Sequence, residues 1–148
     1  MGILDADSAE HRGSSKNFLI APVACPVPQR REGAPKLSGM RAIRIKSGSR
    51  LAAIYRVTGI EEEYFCNYEV NPAYHRDLEQ AGLRLAAFDD GGELRAIELP
   101  GHRFFIATLF QPQLSSAEGR PHPVIVEFLT AAAATRTTTH GTNQVLRA

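Results

Sequence analysis

Residues 68–83 read YEVNPAYHRDLEQAGL, and the change of period inside this stretch decides the class of the fold. Tyr68, Glu69 and Val70 close a run from Glu61 to Asn71 that is rich in aromatic and β-prone residues, which predicts a strand. Asn71 then offers a side-chain oxygen to an orphan amide at a helix start, and Pro72 suits the first helical position because its missing N–H had no partner to lose. Tyr74, Leu78 and Ala81 recur at i, i+4 and i+7, and Gly82 can take the left-handed conformation that closes a helix, so the spacing predicts a helix over 72–81. A strand that runs straight into a capped helix belongs to a chain of mixed α and β class.

Working outward toward the N-terminus, Phe18 to Val23 is a brief apolar run that fits a strand buried on both faces, and residues 1–16 read as a polar loop. Pro26, Pro28, Gly33 and Pro35 punctuate a second loop. Met40 to Lys46 approaches alternation, Ser47-Gly48-Ser49 supplies a turn, and Leu51 to Val57 reads as the return strand of a ribbon. Toward the C-terminus, Leu83–Phe88 and Leu94–Leu99, joined by Asp89-Asp90-Gly91-Gly92-Glu93, predict a hairpin, and Phe104 to Phe110 a buried strand. Pro121-His122-Pro123 leads into a helix with Ile125, Phe128, Leu129 and Ala132 on one face. The Thr-rich tail 135–148 lacks periodicity and is expected to be disordered, leaving 1–134 as one domain with more strand than helix.

Composition agrees with a single globular unit: 148 residues, 43% hydrophobic and 22% charged, are enough for one core. Two cysteines, Cys25 and Cys66, are too few for a disulfide framework and lack the spacing of a zinc site, which points to a reducing, cytoplasmic setting. No stretch approaches the roughly 18 apolar residues of a membrane span, and MGILDADSAEHR has no basic segment followed by a long apolar one. The net charge of +1 hides an asymmetry: residues 1–60 hold ten Lys/Arg against four Asp/Glu, residues 61–127 five against twelve. Clustered Arg invites a nucleic-acid reading, but Phe18 and Tyr55 are the only aromatics of the basic half, too few for stacking on bases. A basic face meeting an acidic one, within the fold or across a dimer, is the expected use of this imbalance.

Several stretches together carry a resemblance. Tyr68 to Tyr74, Leu78-Glu79, Ala81-Gly82-Leu83, Ala96 to Leu99, His102, Phe104 to Thr108, Phe110, Pro112, Leu114-Ser115-Ser116 and Arg120 to Pro123 stand in the order and spacing of the closing half of a class I glutamine amidotransferase domain. The chain resembles the domain of this class at the C-terminus of CTP synthase. Gly2 to His11, Leu19 to Cys25, the trio Tyr64, Cys66 and Tyr68, and Leu109 to Pro112 resemble more closely a group of stand-alone proteins, the CTP synthase C-terminal region-related (seleno)proteins. The resemblance implies an α/β fold, the latter half of a three-layer sandwich with a mixed sheet and covering helices.

In active members of the family a Cys nucleophile attacks the side-chain amide of glutamine, with a His as base and a carboxylate to orient it, because a free thiol is largely protonated at neutral pH. The family's His-Pro-Glu falls on Gln111, Pro112 and Gln113 of this chain. An amide neither accepts and returns a proton near neutral pH nor stabilises an imidazolium as a carboxylate does. No Gly-x-Cys-x-Gly pattern occurs either: Cys25 stands in Ala-Cys-Pro and Cys66 in Phe-Cys-Asn. The resemblance also places the nucleophile and the first strands upstream of Met1. Three explanations stay open: a start recorded too late, a partner chain or second copy that covers the missing half of the sheet, or strands that close on themselves.

Cys66 falls where CTP synthase carries a His in a basic stretch that helps position glutamine, and some members of the stand-alone group carry selenocysteine, which raises a redox role. Against it stand the usual inertness of a strand cysteine and the nearby Glu61-Glu62-Glu63, read as a solvated loop. His11 and His75 read as surface residues, His102 and His122 as structural ones, none is spaced for a metal, and no cofactor is expected. Two functions follow. One is a non-catalytic amidotransferase-like module in which Glu69, Gln111 and Gln113 line the old cleft and hold a small polar molecule, or which engages a partner. The other is an enzyme, using the Cys66 thiol or completed by a partner's nucleophile.

Overall fold

The computed structural model describes residues 4–11, 16–24 and 32–141; Cys25, Pro26, Pro28 and the tail beyond Gly141 lie outside them. In chain order the described elements are β1 (Ala6–Ser8), β2 (Asn17–Pro22), β3 (Leu37–Ile45), α1 (Arg50–Tyr55), β4 (Gly59–Cys66), β5 (Tyr68–Val70), α2 (His75–Gln80), β6 (Arg84–Asp89), β7 (Leu94–Glu98), β8 (Ile106–Thr108) and α3 (Pro123–Gly141). They build a mixed α/β fold on two sheets. One has the order β1-β2-β5, with β1 parallel and β5 antiparallel to β2; the other, entirely antiparallel, has the order β4-β3-β6-β7-β8.

The predicted strand over 61–71 is two strands serving both sheets. It breaks at Asn67, whose carbonyl accepts from the Val23 amide at 2.9 Å and whose side-chain oxygen accepts from the Lys36 amide at 2.9 Å. The chain thus leaves the five-stranded sheet as β4 and enters the three-stranded one as β5, carrying Cys66 and Glu69 to the junction. Directly after β5 the capped helix forms as its sequence dictates. Asn71 Oδ1 accepts from the Ala73 amide at 3.0 Å, Pro72–Tyr74 make a 3-10 turn, α2 follows, and Gly82 takes φ 89°. Leu78 of α2 is buried with Leu85 and Leu94 against Leu19 and Val70, so the helix seals one side of the β6–β7 hairpin. Each such side chain contributes about 1.5–3 kcal/mol of burial.

The larger core lies under α1 and the start of α3 and contains Ile43, Ile45, Leu51, Tyr64, Ala86, Ala87, Phe110 and Val124. Here the structure corrects the ribbon strand expected over 51–57, because residues 51–55 of it belong to α1. Ser49 is its N-cap, accepting from the Ala52 amide at 3.0 Å and donating to the Lys46 carbonyl at 2.7 Å. The buried Glu98 carboxylate reaches from β7 to accept the Arg50 and Leu51 amides at 3.1 and 3.2 Å. A carboxylate at a helix N-terminus satisfies orphan donors and opposes the positive end of the dipole. That tertiary contact outweighs the β preference of Ile54 and Tyr55; Val57 lies beyond the helix, which ends at Arg56 in the left-handed conformation.

Other boundaries differ from expectation too. Residues 6–8, read as loop, form β1. β2 is half-buried along its length rather than enclosed on both faces. β8 is shorter than the strand expected over 104–110. The Glu61-Glu62-Glu63 run lies inside β4, with Glu62 buried and its neighbours turned outward or partly exposed, as a strand's alternation requires. The last helix begins at Pro123 as predicted but buries Val124, while Phe128 and Leu129 of the expected inner face are 52% and 58% exposed. It continues through 135–141, part of the tail expected to lack structure. No helix among the described residues is long and apolar enough to cross a membrane.

Candidate functional site

Two of the residues singled out in the sequence, Cys66 at the end of β4 and Glu69 on β5, flank the junction of the two sheets. β7 supplies its centre. Arg95, 3% exposed, extends its Nη1 to Glu69 Oε2 at 3.0 Å, and its Nε and Nη2 to Asp89 Oδ2 at 2.9 and 2.6 Å. The other oxygen of Glu69 accepts the Ala24 amide at 2.7 Å. Burial acts to lower the guanidinium pKa, but the hydrogen bonds and charges of Asp89 and Glu69 outweigh it, and the net shift is upward. Arg95 is a fixed cation that ties β5, β6 and β7 together. Its guanidinium also lies 5.9 Å from the ring of Tyr64, a fully buried residue whose hydroxyl has no hydrogen-bond partner among the described residues.

Cys66 lies at the end of β4 beside this cluster. Its thiol points toward the Leu109 carbonyl at 3.8 Å, and burial pushes its pKa up; Arg95 pulls partly the other way and Glu69 adds to the rise. A thiol so placed holds its proton at neutral pH and is a poor nucleophile.

Gln111 follows β8 and the core residue Phe110. After pairing with β7, the chain continues with the Leu109 amide donating to the Arg95 carbonyl at 3.0 Å and then crosses to the far edge of the same sheet. There the Gln111 backbone amide donates to the Glu63 carbonyl at 2.9 Å, and its side-chain Nε2 to the Phe65 carbonyl at 3.1 Å. Gln111 therefore latches onto the open edge of β4, one residue from Cys66. Gln113 is exposed two residues later, its neighbour Leu114 is 51% exposed, and the Leu114 amide closes the turn on the Gln111 carbonyl at 2.9 Å. Of the named residues, Cys66, Glu69 and Gln111 share one neighbourhood; Gln113 faces outward.

Sequence reasoning missed Arg95 and a second buried cluster beneath the same turn. Glu62 Oε1 accepts from the Tyr55 hydroxyl and from His122 Nε2 at 2.8 Å, and Oε2 accepts from Ser115 at 3.1 Å. The Val124 amide donates to His122 Nδ1 at 3.2 Å, which leaves the imidazole proton on Nε2. The His122 amide donates in turn to Ser116 at 3.1 Å. Both Glu62 and His122 are 3% exposed, so this cluster anchors residues 115–122 and the start of α3 instead of meeting solvent. His122 is held inside the fold by bonds at both ring nitrogens. The only signal in the sequence was a charged side chain at an inward register position.

No family model matches the chain. Curated relatives do: the CTP synthase of Caldivirga maquilingensis is 38% identical over 135 residues, covering 90% of this chain and 25% of that protein. The CTP synthase of Methanopyrus kandleri is 34% identical over 134 residues, with the same two coverages of 90% and 25%. Among solved structures, the glutaminase domain of Trypanosoma brucei CTPS with bound acivicin superposes with a TM-score of 0.79 at 32% identity, over 90% of this chain and 52% of that one. The chain is a relative of the CTP synthase glutaminase domain. It spans about a quarter of the curated CTP synthases it matches and about half of the solved glutaminase domain. The likeness inferred from the order and spacing of Tyr68 to Pro123 is thereby borne out, and with it the mixed α/β fold of that domain.

Proposed function

We propose that this chain is a glutaminase-like module without glutaminase chemistry, acting in the cytoplasm as a binding or interaction unit. The observation that carries this reading is the latch at Gln111. The residue at the family's histidine position directs both its backbone and its side-chain N–H groups into β4 carbonyls, where an active member needs a base. Gln113, at the position of the orienting carboxylate, carries no charge to support an imidazolium, and in a triad whose members act as a unit such losses cost orders of magnitude in turnover. Of the residues named for ligand binding, Glu69 has both oxygens engaged inside the fold and Gln111 an N–H group, so an interaction role has better support than capture of a small polar molecule. The thiol-enzyme alternative is disfavoured by the raised pKa of Cys66. Ammonia release from glutamine by the purified chain tests the reading: none is expected, with wild type and Cys66→Ser alike. Release that disappears in Cys66→Ser would overturn it.

A further inference from the structure

Among the described residues, Arg41 of β3 is a half-buried cation without an ion pair, and its Nε, shut off from solvent, has no hydrogen-bond partner. A buried charged donor is costly to leave without an acceptor, so native folds nearly always supply one. The carboxylate opposite it in the strand register is already taken: Glu62 stands across from Arg41 on β4 but commits its oxygens to Tyr55, His122 and Ser115.

Arg41 lines a cavity of about 250 Å³ with Met40, Ala42, Asp89, Asp90 and Gly91, where β3 runs past its short pairing with β6 over 43–45. Both acids of this wall are matched. Asp89 Oδ1 accepts the Gly91 and Glu93 amides at 2.9 and 3.0 Å, and its Oδ2 holds Arg95. Asp90 pairs with Arg44 at 3.2 Å. Arg41 is thus the charge of the wall that lacks a counter-ion among the described residues. A main-chain donor stands beside it. The Lys46 amide donates to the Ala86 carbonyl of β6 and the Ile45 amide to the Thr58 carbonyl on the other side, so strand alternation turns the Ala42 amide toward the side of β6, where the cavity lies.

We propose that this cavity binds a small oxyanion, a carboxylate or phosphate group, with an oxygen on Arg41 Nε and the Ala42 amide as a second donor. A guanidinium offers its donors in a rigid fork that matches the oxygens of such groups, and partial burial strengthens the contact over one made in open water. The site lies across β3 from Gln111 and β4, and stands whether or not the module is catalytic.

Isothermal titration of the full chain with inorganic phosphate and with acetate, at ionic strength held constant with chloride, tests the site and separates the two sources. Wild type is expected to bind at least one of them saturably at one site per chain, and the bound anion to raise the melting temperature. Arg41→Met keeps the aliphatic stem and removes every donor; without anion it should melt no lower than wild type, and it should bind about tenfold more weakly or worse. Arg41→Lys keeps the charge without the fork and should bind about threefold or more weakly. Arg56→Met, at an exposed arginine after α1, should bind as wild type does. No saturable binding of either anion, undiminished binding by Arg41→Met or Arg41→Lys, or an equal loss in Arg56→Met would overturn the proposal.

Discussion

Replacing Glu98 by Gln isolates the contact that turns residues 50–55 into a helix. The buried carboxylate receives three donors: Oε1 takes the Arg50 amide at 3.1 Å and Arg84 Nη1 at 2.9 Å, and Oε2 takes the Leu51 amide at 3.2 Å. A glutamine amide keeps one acceptor and introduces an NH2, so in either orientation a donor faces a donor. An orphaned buried N–H costs about 1–3 kcal/mol, and loss of negative charge at the helix N-terminus about 0.3–1 kcal/mol more. The pair with Arg84 adds little, since that side chain is 44% exposed and solvent-screened. Glu98→Gln should therefore destabilise the fold by about 2–4 kcal/mol, which for a chain of this size lowers the melting temperature by about 5–12 °C. Equilibrium urea unfolding, checked by thermal melts in far-UV circular dichroism, reads both. Arg84→Gln serves as the control and should lose about 1 kcal/mol or less. If Glu98→Gln costs under about 0.5 kcal/mol, or Arg84→Gln costs as much as Glu98→Gln, the carboxylate is not what fixes α1.

Arg95→Met leaves Glu69 and Asp89 facing each other without their shared cation, and should destabilise by about 3–5 kcal/mol in urea unfolding, with most of that loss recovered when Glu69→Gln and Asp89→Asn are added; a loss below about 1 kcal/mol would deny the cluster its structural role. The thiol of Cys66 and the phenols of Tyr55 and Tyr64 are all raised by burial, so the native state keeps these protons longer than the unfolded chain does. Stability from these groups is complete below the ordinary thiol and phenol values, about 8.5 and 10, and falls as pH climbs past them. Alkylation of Cys66 should accordingly be slower than that of a free thiol at pH 8, and a midpoint at or below the free-thiol value would contradict the burial effect.

The parts of the fold that were legible in sequence are those decided locally. Asn71-Pro72 and Gly82 bracket a helix by capping chemistry alone, and Asp89 to Glu93 closes a hairpin whose glycines can take positive φ; neither needs a distant residue. What could not be read was decided by partners far along the chain. Segment 51–57 has β-prone side chains, yet Glu98, nearly fifty residues on, supplies the acceptor its helix needs. Glu62 looked solvated among three adjacent carboxylates, and only its register on β4 and its distant partner His122 place it inside. Arg95 sat unnoticed in a hairpin strand because Glu69 lies on another sheet. For α3 the period was right but the most enclosed residue was not the one expected: Val124 is buried, while Phe128 meets Phe104 edge-on at 5.6 Å and stays 52% exposed. In the candidate site, the family resemblance located Gln111 and Gln113 but could not reveal that the first is held along β4 while the second faces outward.

The crossing of residues 109–111 from β7 to β4 has a consequence for how this turn can evolve. It works like the hoop of a cask, joining two staves that strand pairing alone would leave apart. Two of its bonds come from the Leu109 and Gln111 backbone amides, so a change of side chain at 111 gives up only the exposed bond to the Phe65 carbonyl and leaves the hoop closed.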